Sequence, residues 1–62
     1  DPKNADAWMK RSQVAYYKEN YELAWTYFHE ARMADILQLD LNFGSLLVAK
    51  MPDPKGFFKL KE

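Results

Sequence analysis

The feature that most constrains the fold is a short break at Asn20 between two stretches of helical apolar spacing. The first stretch runs from about Ala5 to Lys18, and the second runs from Tyr21 to about Leu39 or a little beyond. Asn20 suits both a turn and the residue that caps a helix start. Because so short a connection allows little besides an antiparallel arrangement, we predict a helical hairpin.

Each predicted helix has one largely apolar face when successive positions are rotated by about 100°. Asn4 is expected to cap the first helix. Small alanines in the second helix would let the two axes approach, while aromatic rings fill the seam. The apolar face of the first helix comprises Ala5, Trp8, Met9, Ser12, Ala15 and Tyr16. That of the second comprises Leu23, Ala24, Tyr27, Phe28, Ala31, Ala34 and Leu41.

The residues that follow the hairpin predict a short third helix. Asn42 and Gly44 tolerate the left-handed conformation that ends a helix, so the second helix is expected to stop there. Ser45 would cap the third helix, which ends at Met51, before Pro52. This helix is apolar almost all round, so it needs a partner surface on the second helix.

The last segment predicts a turn and then a tail. Asp53, Pro54 and Lys55 are typical of a turn that ends helical structure. The tail is expected to fold its two aromatics, Phe57 and Phe58, back over the third helix; the alternatives are a groove-binding peptide and a weak membrane contact.

The predicted fold class is therefore all-α, in a single small helical domain over residues 1–62. Its parts are a hairpin at 4–35, a helix extension and third helix at 36–51, and an extended tail at 52–62.

Composition excludes several classes of function. The chain has 62 residues and no cysteine, so disulfides and thiolate metal sites are absent. Nine basic and nine acidic residues cancel, which gives no basic excess for nucleic acid. No apolar run is long enough for a membrane span and no signal peptide is visible. We expect a soluble protein, cytoplasmic if natural, that binds neither membrane nor nucleic acid.

Cationic residues of the first helix make nucleic-acid binding a minor alternative. Base stacking and phosphate contacts could coexist there, although a solvated helix face is the commoner explanation. The residues concerned are Lys10, Arg11, Tyr17 and Lys18.

No pattern of catalytic or metal-ligating residues is recognisable. The single histidine, His29, has no set of ligands at an established spacing and is expected at the surface. Ser12 and Ser45 lack a recognisable base, and the two glycines are too sparse for a phosphate-binding loop. We expect no enzyme activity and no cofactor.

Residues 4–35 resemble one tetratricopeptide repeat, a helix-turn-helix unit of about 34 residues that stacks into solenoids. The match comprises Trp8, Tyr21, Ala24, Phe28 and Ala31, at the spacing of the family. The chain departs from the family in four ways: Arg11, Ser12 and Ile36 stand where Leu, Gly and Pro are usual, and the turn at 18–21 lacks the usual Gly. The departures favour a terminal or isolated repeat, or a tetratricopeptide-like hairpin in a small bundle, and are compatible with an engineered repeat or a designed binder on such a scaffold.

The resemblance implies recognition of a protein or peptide without catalysis. In the family the first helix lines the concave face, which implies Met9, Gln13, Tyr16 and Tyr17 as partner-binding residues. Chaperone-binding members carry Lys and Asn on this face. Met9 and Gln13 stand in those places, so the resemblance does not imply chaperone binding.

A second apolar stripe supports a structural alternative. Trp25, Ile36 and Phe43 fall within about 20° of one another on a helical wheel. The stripe is expected either to pack against the third helix or to face a partner chain, since large aromatics often anchor interfaces. In the second case the chain is a self-associating scaffold, natural or designed, that forms a homo-oligomer.

Overall fold

The computed structural model describes residues 2–58, which form three α-helices and one short 3₁₀ helix. Helix α1 spans Pro2–Tyr17, α2 spans Tyr21–Ala34 and α3 spans Leu41–Lys50. The 3₁₀ helix, Ile36–Gln38, connects α2 to α3. No strand occurs in this range, so the all-α prediction is confirmed. None of the described helices is long and apolar enough to cross a membrane.

Contacts between α1 and α2 confirm the antiparallel hairpin. The rings of Tyr16 and Tyr21 have centroids 5.6 Å apart next to the turn, and those of Trp8 and Tyr27 are also 5.6 Å apart further away. Between them the Ser12 hydroxyl donates to the Ala24 carbonyl at 2.6 Å. Because this buried hydroxyl is small and hydrogen-bonded, it lets the two backbones approach without leaving a polar atom unsatisfied.

The turn between α1 and α2 has the hydrogen bonds of a Schellman motif. The Asn20 N–H donates to the Ala15 carbonyl and the Glu19 N–H donates to the Tyr16 carbonyl, each at 2.9 Å. Glu19 has φ 63°, the left-handed conformation that glycine usually occupies in this motif. The Asn20 side chain accepts from the Leu23 N–H, which confirms it as the cap of α2.

Helix α1 begins at Pro2, so the prediction that Asn4 caps its start is wrong. Proline is favoured at the first helical position because its fixed φ suits the helix and its missing N–H has no intrahelical acceptor there.

Helix α2 ends at Ala34, so the predicted continuation to Leu39 or Leu41 is also wrong. Asp35 adopts an extended backbone, and its carboxylate accepts from the Leu37 N–H at 3.0 Å. The aspartate side chain thus replaces the helical hydrogen bonds with a local turn.

Helix α3 begins at Leu41, earlier than predicted. The cap is Asp40, whose carboxylate accepts from the Phe43 N–H at 3.0 Å. Ser45, the predicted cap, lies inside the helix and donates to the Leu41 carbonyl. Gly44 does not end a helix, because it is a buried residue within α3.

One aromatic-rich core joins the hairpin, α3 and the segment after it. Trp25, Phe28 and Leu47 are its largest fully buried hydrophobic side chains. The Trp25 indole N–H donates to the Met51 carbonyl at 2.9 Å, and the Phe58 ring lies edge-on to Phe28 at 5.9 Å.

The predicted folding back of the tail over the third helix is confirmed for Phe58. Its ring also lies 2.8 Å from the position that a Cβ on Gly44 of α3 would take. Phe57, in contrast, lies against Arg32 and His29 of α2.

Candidate functional site

A groove of about 390 Å³ lies between α1 and α2, and we refer to it as the α1/α2 groove. Val14 and Leu23 are 52% and 38% exposed, so apolar surface in the groove is open to solvent. Ala15, which also lines it, is buried. The lining residues are Lys10, Arg11, Val14, Ala15, Lys18, Leu23 and Tyr27.

Three cationic side chains of α1 and its C-terminal end line the α1/α2 groove. The Lys10 ammonium lies 3.2 Å from the Asp6 carboxylate, one helical turn away. The Arg11 guanidinium lies 5.0 Å from the centre of the Trp8 ring, a cation–π contact. Arg11 and Lys18 form no ion pair within residues 2–58. The groove therefore combines an exposed apolar surface with two cations that are available to a ligand.

A second hollow of about 240 Å³ lies next to the first on α1 and shares Arg11 with it. Its other lining residues are Asn4, Ala7 and Trp8. The indole of Trp8 is half-buried, and its ring is tilted against that of Tyr27. Trp8 thus connects the second hollow to the α1/α2 groove.

The four residues predicted to bind a partner do not form one exposed surface. Met9 belongs to the core and is only 6% exposed, so its prediction as a binding residue is wrong in this fold. Tyr16 is half-buried against Tyr21 and Phe43, and Gln13 is also half-buried. Tyr17, at 81% exposed, is the member most open to a partner. Met9 is buried because it lies on the face of α1 that packs against α2.

The predicted stripe of Trp25, Ile36 and Phe43 is not a continuous surface. Trp25 and Phe43 are both buried within the chain, but Trp25 lies on α2 and Phe43 lies on the third helix itself, so the two do not form one stripe that packs against that helix. Ile36 is 56% exposed. The stripe was predicted on one continuous helix, and the break at Asp35 removes the register that would align its members.

A buried polar cluster joins α2 to the turn after α3. His29 and Asp53 are 2% and 8% exposed, and His29 Nε2 lies 2.7 Å from Asp53 Oδ1. The Arg32 Nε–H donates to His29 Nδ1 at 3.4 Å, which places the histidine hydrogen on Nε2, facing Asp53. The prediction of a surface histidine is wrong. The Asp-Pro pair at positions 53 and 54 indicated that Asp53 forms a turn. No pattern near Asp53 in the sequence indicated that it also pairs with His29, 24 positions away.

The Asp53 carboxylate is held in its ionised form by several donors. Burial alone would raise its pKa, but the N–H groups of Phe58 and Lys55 and the His29 ring together lower the pKa below its usual value. The backbone donors lie 2.8 Å and 2.9 Å from the carboxylate oxygens. With the Gly56 N–H bound to the Asp53 carbonyl, these bonds confirm the predicted turn. The burial of His29 and Asp53 is therefore explained by the hydrogen bonds that hold this turn against α2.

The polar residues considered for chemistry each have a structural partner. The Ser12 and Ser45 hydroxyls donate to backbone carbonyls. Within residues 2–58 there is no group of three or more histidine and carboxylate side chains that could hold a metal ion. His29 is enclosed by Trp25, Phe28 and Phe57, whose rings lie within about 6 Å of it. Among these features, the α1/α2 groove is the one most open to a ligand.

Comparison of the chain with models of protein families, with curated proteins and with solved structures finds no match.

Proposed function

We propose that the chain is a non-catalytic module, similar to a tetratricopeptide repeat, that binds a protein or peptide through the α1/α2 groove. The observation that carries the proposal is the exposed apolar surface of Val14 and Leu23 between cationic side chains. Ligand sites in proteins commonly combine apolar surface with a few polar groups that orient the ligand. The helical hairpin and the tetratricopeptide-like spacing from Trp8 to Ala31 support the same class of function.

Selection from a random peptide library on the immobilised chain tests this proposal. Val14→Asp should abolish capture of the selected peptides, because it places a charge in the apolar part of the groove. Leu46→Asp is the matched control, since Leu46 is 56% exposed on α3 and lies outside the groove. Circular dichroism should show equal helix content in both variants. The groove would be excluded as the binding surface if both variants lost capture to the same extent. It would also be excluded if neither variant lost capture.

Self-association is a second candidate, and exposed apolar residues between positions 33 and 41 favour it. Leu37, within the 3₁₀ helix, is 88% exposed, and exposed apolar patches often mark interaction sites. The other members, each more than half exposed, are Met33, Ile36 and Leu41. Light scattering across a concentration series tests this candidate: a dimer that Leu37→Lys converts to a folded monomer supports it. A folded monomer of the unsubstituted chain at every concentration contradicts it.

A further inference from the structure

We propose that the α1/α2 groove selects an acidic peptide in which an apolar side chain lies between two carboxylates. This inference rests on the proposed function and specifies the chemistry of its ligand. Within residues 2–58, the lining of the groove holds three cationic side chains and no acidic one. The whole chain has formal net charge zero, so this cationic lining is a local feature and not a general basic excess. Charge complementarity therefore favours an anionic partner.

The cations and the apolar surface alternate along one face of α1 and the residue after it, Lys18. The Lys18 N–H donates to the Val14 carbonyl at 3.1 Å and so continues the helical path. Arg11, Val14 and Lys18 follow one another at intervals of three and four positions, which places them on the same side of a helix. Arg11 and Lys18 are separated by two turns, or about 10 Å along the helix axis. The contact between Arg11 and Trp8 restricts the guanidinium, whereas Lys18 keeps a flexible side chain. The order along the groove is thus cation, apolar side chain, cation.

An extended peptide can match this order with acidic, apolar and acidic side chains at alternate positions. Side chains at every second position of an extended chain point to the same side, and carboxylates four positions apart are separated by about 13 Å. An apolar side chain midway between them would then meet Val14 and Leu23, while the two acids reach Arg11 and Lys18. The long cationic side chains accommodate the difference of about 3 Å. Lys10 contributes less, because its ammonium lies 3.2 Å from the Asp6 carboxylate, which would repel an acidic side chain of the ligand.

The composition of the groove favours a peptide over a nucleic acid. Single-stranded nucleic acids bind where exposed aromatic faces stack on successive bases. In the α1/α2 groove the one aromatic side chain among the described residues is Tyr27, which is half-buried against Trp8. The remaining apolar surface is aliphatic and suits a leucine or valine side chain of the ligand.

NMR titration of the full chain with short peptides tests the proposal. The probe is the capped peptide Glu-Ser-Leu-Ser-Glu, and its matched controls are Gln-Ser-Leu-Ser-Gln and Glu-Ser-Ser-Ser-Glu. We expect the first to shift the methyl signals of Val14 and Leu23, and each control to bind at least about fivefold more weakly. Raising the salt from about 20 mM to about 300 mM should weaken the first peptide but not the glutamine control.

Variants of the chain separate the acidic selectivity from peptide binding in general. Lys18→Gln should weaken the glutamate peptide by about threefold to fivefold and leave the glutamine peptide unchanged. Lys50→Gln, which removes an exposed cation of α3, is the control. Equal affinity for the glutamate and glutamine peptides would overturn the acidic selectivity alone. The absence of methyl shifts with every peptide, or tighter binding of a thymidine oligonucleotide, would overturn the peptide site itself.

Discussion

His29 Nε2 lies 2.7 Å from Asp53 Oδ1, and this contact between two buried side chains joins α2 to the turn after α3. The same carboxylate accepts the backbone N–H groups of Lys55 and Phe58. One acidic side chain therefore fixes the turn, the position of the Phe58 ring and the orientation of the histidine. In a chain of 62 residues with no disulfide, such a buried contact contributes a large part of what defines the C-terminal fold.

Removing the Asp53 carboxylate should destabilise the protein strongly. In Asp53→Ala, the His29 ring and two backbone donors lose their acceptor, which costs about 2–3 kcal/mol of unfolding free energy. Urea unfolding followed by circular dichroism measures this loss. Asp6→Ala is the control, because it removes an exposed carboxylate whose partner is the exposed Lys10. A similar small effect in both variants would contradict the role of Asp53.

The protein should also lose stability in acid because of Asp53. Hydrogen bonds hold the pKa of Asp53 below its usual value in the folded state, so the unfolded chain takes up the proton at a higher pH. The resulting stabilisation is complete above the unfolded pKa, about 3.9 for aspartate, and is lost as the pH falls through the folded pKa. Unfolding free energies measured from about pH 6 to about pH 2 should therefore fall, and less steeply in Asp53→Asn. Equal slopes would show that other carboxylates cause the loss.

The sequence predicted the helical hairpin because its determinants are local. Apolar spacing and the cap at Asn20 act over a few residues, and both are found in the structure. The end of α2 was not predicted, because an aspartate within a periodic pattern is compatible with both helix and turn. Asp35 and Asp40 terminate one helix and begin the next through their side chains. Choosing between these roles requires knowing which register lets α3 pack on α2.

The candidate site was predicted only in part. The cations of α1 were recognised as a charged group, but their position beside exposed Val14 and Leu23 depends on how the two helices pack. Leu23 and Tyr27 belong to the apolar face assigned to the core, and both also line the groove. A helical wheel gives the direction of a side chain. It does not give the depth to which the neighbouring helix covers that side chain.

Replacing Glu19 with glycine should stabilise the hairpin. Glu19 has φ 63° in the turn after α1, a conformation that is unfavourable for residues with a Cβ. We expect Glu19→Gly to raise the unfolding free energy by about 1 kcal/mol, because glycine adopts this conformation without the steric cost. Glu19→Ala keeps the Cβ and removes the charge, so it serves as the control. If the alanine variant gains as much as the glycine variant, the charge and not the backbone is responsible.

Enlarging Ser12 should separate α1 from α2. Ser12 is fully buried and its hydroxyl lies 2.6 Å from the Ala24 carbonyl, so the site has no room for a second methyl group. Ser12→Val should cost about 2–3 kcal/mol through overpacking, whereas Ser12→Ala should cost only about 1 kcal/mol through the lost hydrogen bond. Thermal unfolding of the two variants provides the comparison. Equal losses would indicate that the hydroxyl, and not the closeness of the helices, is what the position requires.

Gly44 and Phe58 should be energetically coupled, because the aromatic ring lies where a side chain at position 44 would be. A Cβ on Gly44 would lie 2.8 Å from Phe58 Cε2 and 3.1 Å from Phe28 Cζ. Gly44→Ala gains up to about 1 kcal/mol of helix propensity but must displace the Phe58 ring, so we expect a net loss of about 1 kcal/mol.

A double-mutant cycle with Phe58→Ala measures this coupling. With the ring removed, Gly44→Ala should become neutral or stabilising, which gives a coupling energy of about 1–2 kcal/mol. Leu46→Ala, on an exposed position of the same helix, provides the control pair with Phe58→Ala, and its effects should be additive. Additive effects for Gly44→Ala as well would mean that Phe58 does not rest on α3 in solution.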